Sequence, residues 1–222
     1  MAERGRPRAF DREQALRQAM LLFWEKGFQG AAMSELTAAM GINAPSLYAC
    51  FGSKEALYRE AMALYEAGDG AELAAAIAAA PSVREAIGTY LMRSAALFTR
   101  PGKPAGCMVV LSVVHAAGTS EEASRALRDV RAEMQGILET RLRAAIGRGE
   151  LPASCDPAAI ASFYVTVQQG MSIRARDGAT RAELEAVAQG AMAAWDGLTG
   201  MPTESAYPAK GTAPTFRGRP KA

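Results

Sequence analysis

The chain has 222 residues, half of them hydrophobic and 7% aromatic, with 25 basic and 23 acidic side chains and a net charge of +2. That length holds a small domain and a larger one with a real core. The apolar run at 74–80 is too short for a membrane span of roughly 18 residues or more, and the arginine-bearing N-terminus leads into no apolar signal region, so a cytoplasmic protein without membrane contact is expected.

Alanine, leucine and methionine dominate, apolar residues recur at spacings of three and four, and β-branched alternation is scarce, which predicts an all-α fold. After a basic arm at 1–9, a first helix carries Leu16, Ala19, Phe23, Gly27 and Phe28. A short helix over 33–40 then stops at Gly41, which can take the left-handed conformation of a tight turn, and Asn43 caps the next short helix. Pro45 falls in its first turn, where a missing N–H costs little. Leu47 and Phe51, four apart, point inward and leave Ala44, Ser46 and Tyr48 outward. Two helices joined by three or four residues have the geometry of a helix-turn-helix, and this small, partly polar outer face fits a major groove. Ser53 is the predicted N-cap of the following helix, which places Lys54 beside free backbone N–H groups where a phosphate oxygen can be held.

Further on, Gly68-Asp69-Gly70 predicts an interruption, and Pro81-Ser82 opens a helix that ends before Arg100-Pro101-Gly102. A segment at 107–117 is too apolar to be exposed and should cross the interior. A long charged helix over 120–147 follows, then one opened by Asp156-Pro157 and ending near Asp177-Gly178, then a last one capped by Thr180 and running to about 198. About nine helices result.

The order and spacing of Leu16, Ala19, Phe23, Gly27, Phe28, Met33, Leu36, Gly41, Leu47, Tyr48, Phe51, Lys54, Glu55 and Leu57 resemble the DNA-binding domain of the tetracycline-repressor (TetR) family of bacterial transcriptional regulators. The resemblance covers about the first sixty residues and implies a three-helix DNA-binding head at 10–57 and an effector-binding and dimerisation domain at 58–198; residues 199–222, crowded with Gly, Pro, Ser and Thr, read as a disordered basic tail. It implies that residues 43–49 supply the recognition helix and that Tyr48 and Lys54 grip phosphates. Arg4, Arg6 and Arg8 would form a minor-groove arm, and Asn43, Ala44, Pro45 and Ser46 complete the expected contact set. Ala31 and Ala32 depart from the family's usual threonine or serine, so the cap of the second helix is expected to be weak. Ala49 and Cys50 replace bulkier side chains, which shifts specificity toward thymine methyls and DNA shape.

Charge is unevenly placed: residues 1–12 carry +2 and 203–222 carry +3, leaving the body at −3. Both ends contain Arg-Gly-Arg-Pro, which resembles the AT-hook, an extended strand that lays arginines into a narrow A·T minor groove. The C-terminal copy reads either as a second hook or as a charged tail.

The last two predicted helices bear more apolar surface than one protomer's core needs. Ile160, Tyr164, Val167, Met171, Leu184, Val187, Ala191 and Trp195 are expected in a four-helix interface with a second subunit, the homodimer that the resemblance implies. Tyr90, Met92, Phe98, Met108, Leu111, His115, Met134, Phe163 and Gln168 are the candidate lining of an effector cavity, mostly apolar with a few orienting polar groups. His115 reads either as a satisfied core histidine or as a hydrogen-bonding partner for the effector. Cys50, Cys107 and Cys155 fit reduced thiols, and no cation adjoins Cys107 in sequence to make it a thiolate. With a single histidine, no nucleophile–base pair and no phosphate loop, neither a metal, a cofactor nor an enzyme is expected. The expected function is a repressor that leaves a pseudo-palindromic operator when a small, largely apolar effector binds; the alternative is an architectural DNA-binding protein without an effector.

Overall fold

The computed structural model describes residues 10–114 and 121–201. Helix α1 (Arg12–Gly30) starts where the Asp11 carboxylate accepts the N–H groups of Glu13 and Gln14 at 2.9 and 3.2 Å. Near its end Gly27 takes φ 71° and ψ 173°, a left-handed break that other residues rarely adopt. The Phe28 ring beyond this kink joins Phe23 and Tyr58, whose rings meet it at 6.2 and 5.2 Å. Helices α2 (Met33–Met40) and α3 (Ala44–Phe51) are joined through Gly41 at φ 67°, the left-handed turn expected there. Asn43 Oδ1 accepts the Ser46 N–H at 2.9 Å, and Ser53 Oγ accepts that of Ala56 at 3.1 Å to open α4 (Lys54–Tyr65).

One apolar cluster holds these four helices together, with Ala19, Phe23, Leu36, Leu47 and Leu57 almost wholly buried. It runs past residue 57 to Tyr65 and takes in Met108 and Val109 of α7 (Met108–Val114). Gly68-Asp69-Gly70 does not stop the helix. Residues Glu66–Gly70 form a π-helical turn that carries α4 into α5 (Ala71–Ala78), because glycine accepts right-handed helical dihedrals as readily as turn ones.

A second cluster forms the body from α5, α6 (Val83–Phe98), α8 (Glu121–Gly147), α9 (Pro157–Arg176), α10 (Arg181–Ala193) and α11 (Trp195–Thr199). Helix α10 lies on α6, α8 lies beside α9, and Ile87, Leu91, Leu138, Leu142, Tyr164 and Leu184 fill the space between them. Asp156 and Thr180 cap α9 and α10 as expected, and Glu183 returns its carboxylate to the Thr180 N–H. With α4, the π turn and α5 counted as one rod and α11 as the end of α10, the described residues form nine helical bodies and no strand. None of the helices is long and apolar enough to cross a membrane.

Head and body meet through α7, which packs on α1, α4, α8 and α9. Gly106, at φ 82°, lets the chain pass against α9: a Cβ there would sit 2.7 Å from the Ser172 carbonyl oxygen. The next residue, Cys107, donates its N–H to Ser172 Oγ at 2.8 Å. At the far end of α9, Arg176 Nη2 donates to the Trp24 carbonyl oxygen at 2.6 Å, and Nη1 lies 3.2 Å from Glu25.

Candidate functional site

Helix α3 presents an outward face. Leu47 and Phe51 are buried, whereas Ala44, Pro45 and Ala49 are exposed and Tyr48 keeps 51% of its surface. Tyr48 is therefore free to reach a ligand rather than tied into the head core. Ser46 is half-buried, and Asn43 Oδ1 is already engaged in capping, which leaves its amide N–H₂ as the free donor. Lys54 stands at the first turn of α4, with Nζ 4.6 Å from the centre of the Phe28 ring. Burial pulls its ammonium below the ordinary lysine value.

Behind α3, Arg12 locks the first and fourth helices. Its guanidinium donates to both Glu60 carboxylate oxygens at 2.9 and 2.7 Å and lies 4.5 Å over the Phe51 ring. The weak cap on α2 is present as the sequence predicts: Ala32 has no acceptor. Glu35 supplies the reciprocal half of a capping box, accepting the Ala32 N–H at 3.2 Å while pairing with Lys26. Arg4, Arg6 and Arg8 lie outside the described residues, as does the tail at 203–222.

A cavity of about 290 Å³ opens where α4, the π turn, α5, α6, α7, α8 and α9 converge. Tyr90, Phe98, Met134 and Gln168, all expected in an effector cavity, line it. Four others from that set do not. Met92 packs against the body core, Met108 is absorbed by the head cluster, Leu111 is buried against Gly106, and Phe163 faces outward with its ring on Tyr164. The reason is helical phase, which a count of apolar residues does not supply. His115 lies outside the described residues.

Sequence reasoning missed the cavity's polar end: Tyr65, Glu66, Asp69, Cys107, Arg131 and Glu133. The Tyr65 hydroxyl donates to Cys107 Sγ at 3.3 Å, and burial pushes both groups' pKa up. Asp69 is buried and ion-paired with Lys103 and Arg100 from the loop after α6. The expected interruption at Gly68-Asp69-Gly70 was the one local signal for this region.

Of the residues expected between subunits, Ile160, Tyr164, Met171, Leu184, Ala191 and Trp195 are buried within the protomer. A side chain covered by its own chain has no surface left for a partner, so the protomer's own body core rather than a second subunit takes these. Val167 is half-buried and Val187 is 45% exposed. The outer face of α9 instead shows Ala159, Phe163, Thr166, Gly170 and Ile173, and that of α10 and α11 shows Val187, Gly190, Ala193 and Gly197.

Two family models cover this architecture: residues 15–61 match the bacterial regulatory proteins of the tetR family, and residues 81–191 match a tetracyclin repressor-like C-terminal domain. The chain belongs to the TetR family. Among its relatives, the HTH-type transcriptional repressor ComR of Escherichia coli (strain K12) is 35% identical over 196 residues, covering 88% of this chain and 93% of that protein. The HTH-type transcriptional repressor BdcR of the same strain is 34% identical over 185 residues, covering 83% and 88%. A solved TetR-family structure, a cysteine mutant of the regulator CifR complexed with 26-bp double-strand operator DNA, superposes at a TM-score of 0.80 with 42% identity. It spans 86% of this chain and 100% of that one.

Proposed function

We propose that this TetR-family protein is a sequence-specific transcriptional repressor that binds a pseudo-palindromic operator as a homodimer and releases it when a small, largely apolar effector enters the cavity. The observation that carries the reading is the outer face of α3, where Tyr48 stands exposed among Ala44, Pro45 and Ser46 on a buried Leu47–Phe51 base. Such a face enters a major groove without steric conflict. The likeness to a regulator solved on operator DNA supports it. Lys54 and the Arg4, Arg6 and Arg8 arm serve as backbone and minor-groove contacts.

Support for release comes from the cavity's position. Its wall includes Tyr65, whose ring meets Trp24 of α1 edge-on at 4.9 Å, and Cys107 at the start of α7, so a ligand there touches the elements that carry the head. Ligand binding that favours another setting of α4 and α7 would alter the spacing of the two α3 helices in the dimer. The outer faces of α9 and α10, rich in small residues, let two protomers approach closely and form the four-helix interface.

Selection of bound duplexes from a random pool tests the reading. The expected product is an inverted repeat whose half-sites lie about one helical turn apart, roughly 34 to 36 Å, or a multiple of it. Enrichment of A·T-rich DNA with no inverted repeat would instead identify an architectural binder.

A further inference from the structure

Several polar groups at the cavity wall have partners. Asp69 takes Arg100 and Lys103, Gln168 Nε2 donates to Ser94 Oγ at 3.4 Å, and the Tyr65 hydroxyl donates to Cys107. Arg131, reaching in from α8, is different. Its Nη1 is buried and has no hydrogen-bond acceptor among the described residues. The groups that feel its charge are Tyr58 and Cys107, and both stay protonated at neutral pH: burial pushes Tyr58 up to about 12 and raises Cys107. Arg128, one turn earlier, adds a second positive charge.

The cavity's carboxylates do not answer this need. Glu66 is raised by burial and by the charge of Glu133, so these two act on each other, and Arg131 forms no ion pair among the described residues. A guanidinium keeps its proton even when desolvated. An N–H left buried without an acceptor is costly, and an anionic acceptor relieves it best.

We propose that the cavity binds a small amphipathic anion, with its apolar body against Leu73, Tyr90, Phe98 and Met134 and one carboxylate or similar anionic group on the Arg131 guanidinium. This rests on the reading of the cavity as the effector site and gives that effector a chemical class. It also places the charged end of the ligand toward the head, because Tyr58 packs edge-on against Phe23 at 5.0 Å in the head cluster.

Calorimetric titration of the full chain with octanoate and 2-naphthoate, each beside its uncharged amide and the corresponding ammonium compound, tests this. The carboxylates are expected to bind at least 10-fold more tightly than the amides, and the ammonium compounds more weakly still. Arg131→Met should erase the difference between carboxylate and amide while leaving amide binding unchanged, and Arg131→Lys should keep part of it. Arg131→Met should also raise the thermal midpoint of the ligand-free protein, since it removes a buried N–H that lacks an acceptor, whereas loss of a structural arginine would lower it. Equal or tighter binding of amides or ammonium compounds, no binding by either carboxylate, or a carboxylate preference that survives Arg131→Met would overturn the proposal. Carboxylates that bind through Arg131 without loosening operator DNA would uphold it and defeat release by effector. Amides that release the operator as well as carboxylates do would have the opposite meaning.

Discussion

Half-buried over the Phe28 ring, the Lys54 ammonium is held at the N-terminus of α4, where the helix dipole disfavours a cation and favours an anion. A phosphate at that point resolves the conflict, since it meets both the ammonium charge and the positive end of the helix dipole. Lys54→Ala should weaken binding to operator and random duplex alike and flatten the salt dependence by about one contact, a slope change near 0.9 in log K against log salt. Ser46→Ala should instead change the preference among operator variants by about 1 to 3 kcal/mol at one position. Salt-dependent anisotropy titrations separate the two, and equal effects of both substitutions on operator and random DNA would contradict these roles. At this scale the sequence was most legible where the physics is local. The caps Asn43, Ser53, Asp156 and Thr180 act within three residues, so spacing alone identifies them. The charge that Tyr58 feels from Arg131 arrives from another helix, and no sequence neighbour announces it.

Helices α2 and α10 differ in how they begin, and the difference is measurable. Thr180 and Glu183 complete a capping box, whereas Ala32 leaves α2 with only the half supplied by Glu35. Ala32 is already extended, at φ −67° and ψ 150°, so Ala32→Ser should add the missing acceptor without strain and stabilise the protein by about 0.5 to 2 kcal/mol, read from the urea midpoint. An unchanged or lower midpoint would show that the helix end is satisfied by other means. Glu35 gives the same element a pH dependence. Its hydrogen bonds from Lys26, and then from the Ala32 N–H, hold its carboxyl below the ordinary glutamate value of 4.5. A depressed folded value means that the contribution is complete above 4.5 and is lost as pH falls through the folded value. The stability gap between the native chain and Glu35→Gln should therefore shrink on acidification below that point, and a gap independent of pH would remove the assignment. Periodicity placed these elements but not their phase relative to neighbours. That is why the π turn at Glu66–Gly70 and the outward side of Phe163 emerged only in three dimensions.

For the molecule as a whole, the two apolar clusters separate head from body much as composition implied, although α7, part of the head cluster, also packs on α8 and α9, and Cys107 lies against both clusters, so no boundary falls cleanly between them. The proposed subunit face was the least legible feature. Large apolar residues on α9 and α10 are the conspicuous ones in the sequence, yet the body core uses most of them, and the surface left over is marked by small ones. Gly170 and Gly190 have no atom within 4 Å of where a Cβ would stand and are exposed, so a side chain at either position is expected to project from the protomer. If two copies pack through this face, Gly170→Arg or Gly190→Arg should convert the dimer to a folded monomer in sedimentation and weaken operator binding. A variant that stays dimeric would move the interface elsewhere.

The central claim, recognition of a specific inverted repeat by two α3 helices, is tested most directly by anisotropy titration of the selected operator against a scrambled duplex of the same composition, with stoichiometry read at saturation. Two protomers per duplex, a preference for the operator of at least about 10³-fold at physiological salt, and loss of that preference when either half-site is scrambled are the predicted results. Equal affinity for both duplexes, or a single protomer occupying the whole repeat, would contradict it.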